Sequence, residues 1–175
     1  MRPTAIALLM FLAFSPLGCR RKRAESQAAS EMGAPELAST IHLGDPKVAD
    51  QLVSGFYAIE ANAWRWAARN FVVVLRAPAG SGQLGATLAV HVTVPDALIA
   101  KVSTVTLSAT IGDTTLAPET WSKPGEYVYQ RDVPPNAIRG PAVRVEFQVD
   151  KAIPPNPMDR RELGIVVSSV GLALK

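Results

Sequence analysis

Two stretches of this sequence concentrate the side chains that could recognise or transform a ligand. Asp159-Arg160-Arg161-Glu162 follows a proline-rich run, and residues 55–76 carry Glu60 and then Trp64-Arg65-Trp66. Glu60, Asp159 and Glu162 are the carboxylates a glycoside hydrolase would draw on, since that chemistry needs two of them opposed at about 5 to 9.5 Å. Residue type alone speaks for it. As a recognition site, Glu60, Arg65, Asp159 and Arg161 would present charge and hydrogen bonds to a sugar or an anion. The plainer expectation is an Arg161–Glu60 ion pair that ties the first and last strands, because a bidentate arginine fixes geometry well. Trp64 and Trp66 stand two apart, so on a strand both indoles point to one face. Exposed, they would stack a sugar ring; buried, they would fill the core of a chain with few aromatic residues. Core packing is the expectation, with Trp64 the better placed for exposure, and Trp121 with Tyr127 and Tyr129 poses the same choice.

Other chemistries lack their residues. His42 and His91 are far apart, and His91 sits on the polar face of its segment, which suits a solvated imidazole. There is no HExxH, cysteine pair or oxygen-rich calcium loop, so neither a metal nor a cofactor is expected. No GxSxG elbow and no phosphate-cradling glycine loop occur; Ser81-Gly82 belongs to a plain loop. The formal charge of +3 is also misleading. Arg2 and the run Arg20-Arg21-Lys22-Arg23 account for the excess, leaving 13 cations against 15 anions elsewhere. A basic nucleic-acid face is therefore excluded.

The single cysteine has a telling position. Arg2 precedes an uncharged stretch, residues 4–18, centred on AIALLMFLAF and closed by Ser15-Pro16-Leu17-Gly18 before Cys19. The apolar run has signal-peptide length, while a membrane-spanning helix needs about 20 apolar residues. Gly18-Cys19 resembles the bacterial lipobox, in which a small residue precedes a cysteine that is acylated; Pro16 stands where that family prefers leucine. The resemblance implies a signal peptide over 1–18 and a lipid anchor at Cys19. The four cations after the run favour a cytoplasmic C-terminal side, so an uncleaved signal anchor is the alternative. Residues 19–40 then read as a lipidated cysteine and a flexible tether, too poor in apolar residues to offset ordering entropy.

The elements that must position these residues lie between 41 and 175. Asp45 as N-cap, Pro46 at the first helical position and Gly55 as terminator predict a short helix through Ser54. From Phe56 the period becomes two. Asn70–Arg76 is a β-branched run, and Leu84–Val94, Ser103–Ile111 and Val143–Val149 alternate apolar with polar. Gly112-Asp113 offers a hairpin turn into Thr114–Ala117, Lys123-Pro124-Gly125 turns into EYVYQRDV, and Ile165–Leu174 is the last strand. Seven or eight strands with regular turn signals predict an all-β, jelly-roll-like antiparallel β-sandwich preceded by one short helix.

Residues 55–75 and 159–174 also resemble a β-sandwich module found in exported bacterial proteins and appended to some glycosyltransferases and methyltransferases. The matching positions are Gly55, Phe56, Glu60, Arg65, Trp66, Asp159, Arg161, Leu163, Gly164 and Ile165. The resemblance spans about 120 residues and implies the sandwich fold; a fold carries no activity by itself. The resulting expectation is an envelope lipoprotein, anchored at the membrane with its domain in the periplasm or outside the cell. Its sandwich is a non-enzymatic binding module with carbohydrate as the candidate ligand. A structural or assembly subunit that contacts another envelope protein is the alternative, and a small hydrolase is third.

Overall fold

The computed structural model describes residues 36–175. The export segment 1–18, Cys19 and the tether as far as residue 35 lie outside the described residues. The strands are β1 (Thr40–His42), β2 (Leu52–Glu60), β3 (Trp64–Arg76), β4 (Ala86–Val94), β5 (Val105–Ile111), β6 (Thr114–Thr115), β7 (Glu119–Trp121), β8 (Gly125–Val133), β9 (Ala142–Val149) and β10 (Val166–Leu174). That is ten among the described residues, where alternation predicts seven or eight. The extra ones, β1 and β7, are too short to show a period.

All pairings are antiparallel, in the order β6-β5-β9-β3-β10-β4-β8; β7 lies on β5, β2 on β3 and β1 on β10. The sheet curls into a jelly-roll-like sandwich because β3 belongs to both layers. Its first half pairs Arg65 and Trp66 with Val167 and Val166 of β10. Its second half, Asn70 to Arg76, pairs with Gln148 to Ala142 of β9.

Alternation puts the apolar residues of both layers inside. Leu88, Val90 and Val92 of β4, Val105, Leu107 and Ala109 of β5, and Val145, Phe147 and Val149 of β9 are all buried. Each such valine, leucine or phenylalanine stabilises the fold by roughly 1.5–3 kcal/mol relative to exposure. Phe71 stacks on Phe147 at 4.8 Å between ring centroids, and Phe56 meets Phe71 edge-on at 5.3 Å. The outward residues of β4, namely Thr87, Ala89, His91 and Thr93, remain partly or fully exposed.

The helix expected up to Ser54 is shorter. Asp45 does cap it, accepting from the Lys47 N–H at 2.9 Å, and Pro46 opens it, but it is a 3₁₀ turn over Pro46–Gln51. Gln51 ends it. Its buried amide accepts from Ala38 N–H and donates to the carbonyls of Ala38 and Val74, which fixes the backbone for β2 to begin at Leu52. Strand β1 also precedes this turn. Likewise Ser81–Leu84 is one helical turn rather than loop and strand, bracketed by Gly80 and Gly85 at positive φ, so β4 starts at Ala86. A helix over Asp96–Val102 follows β4 where the sequence reads only a strand stop at Pro95-Asp96.

Gly55 is therefore no helix terminator but a crossing point within β2. Its φ is +80°, and an added Cβ would lie 2.1 Å from the Asn70 carbonyl oxygen. Gly55→Ala should thus cost about 3 kcal/mol or more, read as a lowered urea midpoint at unchanged slope. A loss below about 0.5 kcal/mol would contradict this packing.

Candidate functional site

The sequence-predicted residues separate into two groups. The first is built around Arg161. Its Nη1 donates to Glu60 Oε1 at 2.7 Å, and its Nε and Nη2 donate to Asp159 at 3.0 and 2.9 Å. Its guanidinium also lies over the Tyr57 ring, 5.5 Å from the centroid. Asn156 holds the preceding loop in an Asx turn, accepting from the backbone N–H groups of Met158 and Asp159. Glu162 fixes the other side: its carboxylate accepts from Arg69 N–H, and its backbone both donates to and accepts from the Tyr57 hydroxyl. The arginine hydrogen bonds hold the Asp159 carboxyl below the ordinary carboxylate range, and Asp159 and then Glu60 push Arg161 further up. Every group of this cluster is matched by another, so its chemistry is to fasten the 155–162 loop onto β2.

Arg65 is also occupied. Its Nε donates to the Leu43 carbonyl at 3.0 Å and its Nη1 to the Tyr57 carbonyl at 2.9 Å, clamping the chain after β1 to β2. Gly164 marks a close approach where the last strand begins. Its N–H donates to the Ala67 carbonyl at 2.8 Å, and a Cβ there would sit 3.0 Å from the carbonyl oxygens of Ala67 and Ala68.

The second group faces outward. Trp64 and Trp66 do share a face, with ring centroids 6.4 Å apart and planes at 80°. Both are half-buried and neither joins the hydrophobic core, which corrects the core expectation. The reason is register: Trp66 pairs with Val166, which is buried but lies outside the core cluster and alternates with the core residues Val167 and Ile165. Trp121 and Tyr129 go the other way. Both are buried, Trp121 stacks on Tyr127 at 5.2 Å, and burial raises the Tyr129 phenol while its hydroxyl donates to the Ala117 carbonyl. They offer no platform.

Trp64 forms one wall of a cleft of about 510 Å³ that also takes in His91, Thr93, Glu126, Val128 and Ser168. No member of the Arg161 cluster lines it. An indole beside hydroxyl, imidazole and carboxylate groups can stack an apolar face while hydrogen-bonding its edges. His91, Thr93, Glu126 and Ser168 were not singled out as site residues by sequence. The polar face of β4 signalled His91 and Thr93, but pairing with β8 and β10 brings the others alongside them. Among the described residues, no three His, Cys, Asp or Glu side chains gather as a metal site would require.

No protein-family model and no curated protein matches this sequence. Among solved structures, one described as "CBM4 structure and function" is similar, with 10% identity and a TM-score of 0.35 over 83% of this chain and 91% of that one.

The Arg161 cluster makes two predictions. Arg161→Ala should lower unfolding free energy by about 1–2 kcal/mol, since the pairs are partly exposed. Because the Asp159 pKa is depressed by folding, its contribution is present above the unfolded value near ~3.9 and is lost as pH falls through the lower folded value. Urea midpoints from about pH 5 to about pH 2 should therefore fall less steeply in Asp159→Asn than in the parent chain.

Proposed function

We propose that this chain is a lipid-anchored envelope protein whose sandwich is a non-catalytic module that binds saccharide at the Trp64 cleft. The observation that carries the ligand class is the cleft wall itself. A half-exposed indole stands across from Thr93, His91, Glu126 and Ser168 in about 510 Å³, the pairing of aromatic face and polar edge that a sugar ring presents in reverse. Among the described residues Glu126 is the one carboxylate that lines the cleft, where glycosidic hydrolysis needs an opposed pair. The anchor reading rests on sequence: the apolar run, Gly18-Cys19 and the tether that follows.

A second reading, an assembly subunit that docks on another envelope protein, is favoured by Met158. It stands 98% exposed on a loop made rigid by prolines and by Asn156.

Titration of the full chain against a neutral and acidic glycan panel, followed by tryptophan fluorescence, tests the ligand class. Trp64→Ala should weaken binding at least about ten-fold while leaving the melting temperature within a few degrees. Absence of any glycan response, with capture of one envelope protein that Met158→Asp abolishes, would replace this reading by the second. Metabolic labelling with an alkyne fatty acid tests the anchor. Cys19→Ser should lose the label and accumulate precursor; membrane association without label would support the signal anchor instead.

A further inference from the structure

We infer that the hollow adjoining the Trp64 cleft takes an acidic saccharide, and that His42 and His91 make its capture pH-dependent. This rests on the saccharide reading and names the charge that the ligand carries. The two histidines are the only ones in the chain, 49 positions apart, yet the sheet aligns them. His42 of β1 pairs with Ser169 of β10, Ser169 pairs with His91 of β4, and His91 pairs with Val128 of β8. One row thus crosses four strands on the outer face, with an exposed imidazole on either side of the Ser169 hydroxyl. Two strand spacings separate the histidine backbones, roughly 10 Å. Imidazoles leaning inward from both sides can meet one carboxylate over Ser169, or carboxylates on neighbouring sugar units.

The hollow over this row holds about 360 Å³. Its floor is low because Ala89, Gly171 and Ala173 carry almost no side chain, and Gln130 adds an amide at its β8 side. Gly171 has no room for more: a Cβ there would meet Thr40 Oγ1 at 2.8 Å. Among the described residues no Asp, Glu, Lys or Arg lines the hollow itself, and the histidines are its ionisable groups. His91 is common to this hollow and to the Trp64 cleft, which makes the two one continuous surface.

The charged groups around it leave that role intact. On β8, Glu126 stands in the Trp64 cleft, and Asp132 is held by Lys175 at 2.7 Å. Beyond His42, Asp45 caps the following turn through Lys47 N–H. From β10 the neighbours are the hydroxyls of Ser168 and Ser169, and β1 itself adds Thr40.

Imidazole side chains change charge between about pH 5 and 8. When protonated, each offers two N–H donors and a positive charge; when neutral, one donor and one acceptor. A carboxylated sugar gains charge-assisted hydrogen bonds in the first state, and an uncharged sugar gains little.

The test is calorimetric titration of the full chain with polygalacturonate, alginate and hyaluronan, each beside its carboxyl-reduced counterpart. At least one acidic polymer should bind about ten-fold tighter at about pH 5.5 than at about pH 7.5, with its reduced form insensitive to pH. His42→Gln and His91→Gln should each remove most of that pH response. Binding of acidic and reduced polymers alike at both pH values overturns this inference and leaves the saccharide reading standing. So does a pH response that survives the double substitution. Binding of none of the six polymers overturns this inference, and the glycan panel then decides the saccharide reading separately.

Discussion

Strand β3 offers a single edge to two partners, β10 beside Arg65 and Trp66 and β9 from Asn70 onward, while β2 runs along its other edge. A strand can satisfy its backbone in this way only if the two partners part company between those stretches, and that parting turns one sheet into two layers. Ala67 and Ala68 lie at the division. Both are small, and Gly164 approaches their carbonyls from the chain entering β10. On β2, Gly55 passes close against Asn70 and Phe71 at the same level. Bulk at any of these positions would force one layer away from β3 and open the core around Phe71 and Phe147.

The outward residues follow from that division. Because Val166 and Trp66 share a face opposite to Val167 and Ala67, the indoles of β3 rise from the outside of the β10-β4-β8 layer. They stand along one side of a surface that carries His91, Glu126 and Gln130 among small serine, threonine, alanine and glycine residues. Arg65, between them, points the other way and spends its donors on the carbonyls of Leu43 and Tyr57. One tripeptide thus supplies both the wall and the clamp behind it, and the alternation of a strand assigns the roles.

Much of this was legible in the residues. The cores of β4, β5 and β9 are readable from period two, because each strand is long enough to repeat it, and the Arg161–Glu60 pair is readable from charge and chain order. What escaped was decided at long range. The turn after Asp45 stops at Gln51 because that side chain bonds to Ala38 and Val74, which no local propensity reveals. The scarcity of aromatic residues argues for packing at least one of Trp64 and Trp66 inside, with Trp64 the better placed for exposure. Their side was set by register with β10, about a hundred residues away. The alignment of His42, Ser169 and His91 is hidden for the same reason, since it exists only once three distant strands are paired.

The placement of β10 has a consequence for how the protein is made. The last strand of the chain lies in the interior of its layer, between β4 on one edge and β3 and then β1 on the other. The β10 edge of β4 is therefore filled by residues more than 70 positions downstream, and before they are made β4 pairs, among the described strands, with β8 alone. Non-local pairing of this kind is slow to form. Until residues 166–174 are made, the two edges that β10 joins stay unpaired, and the layer cannot close along them.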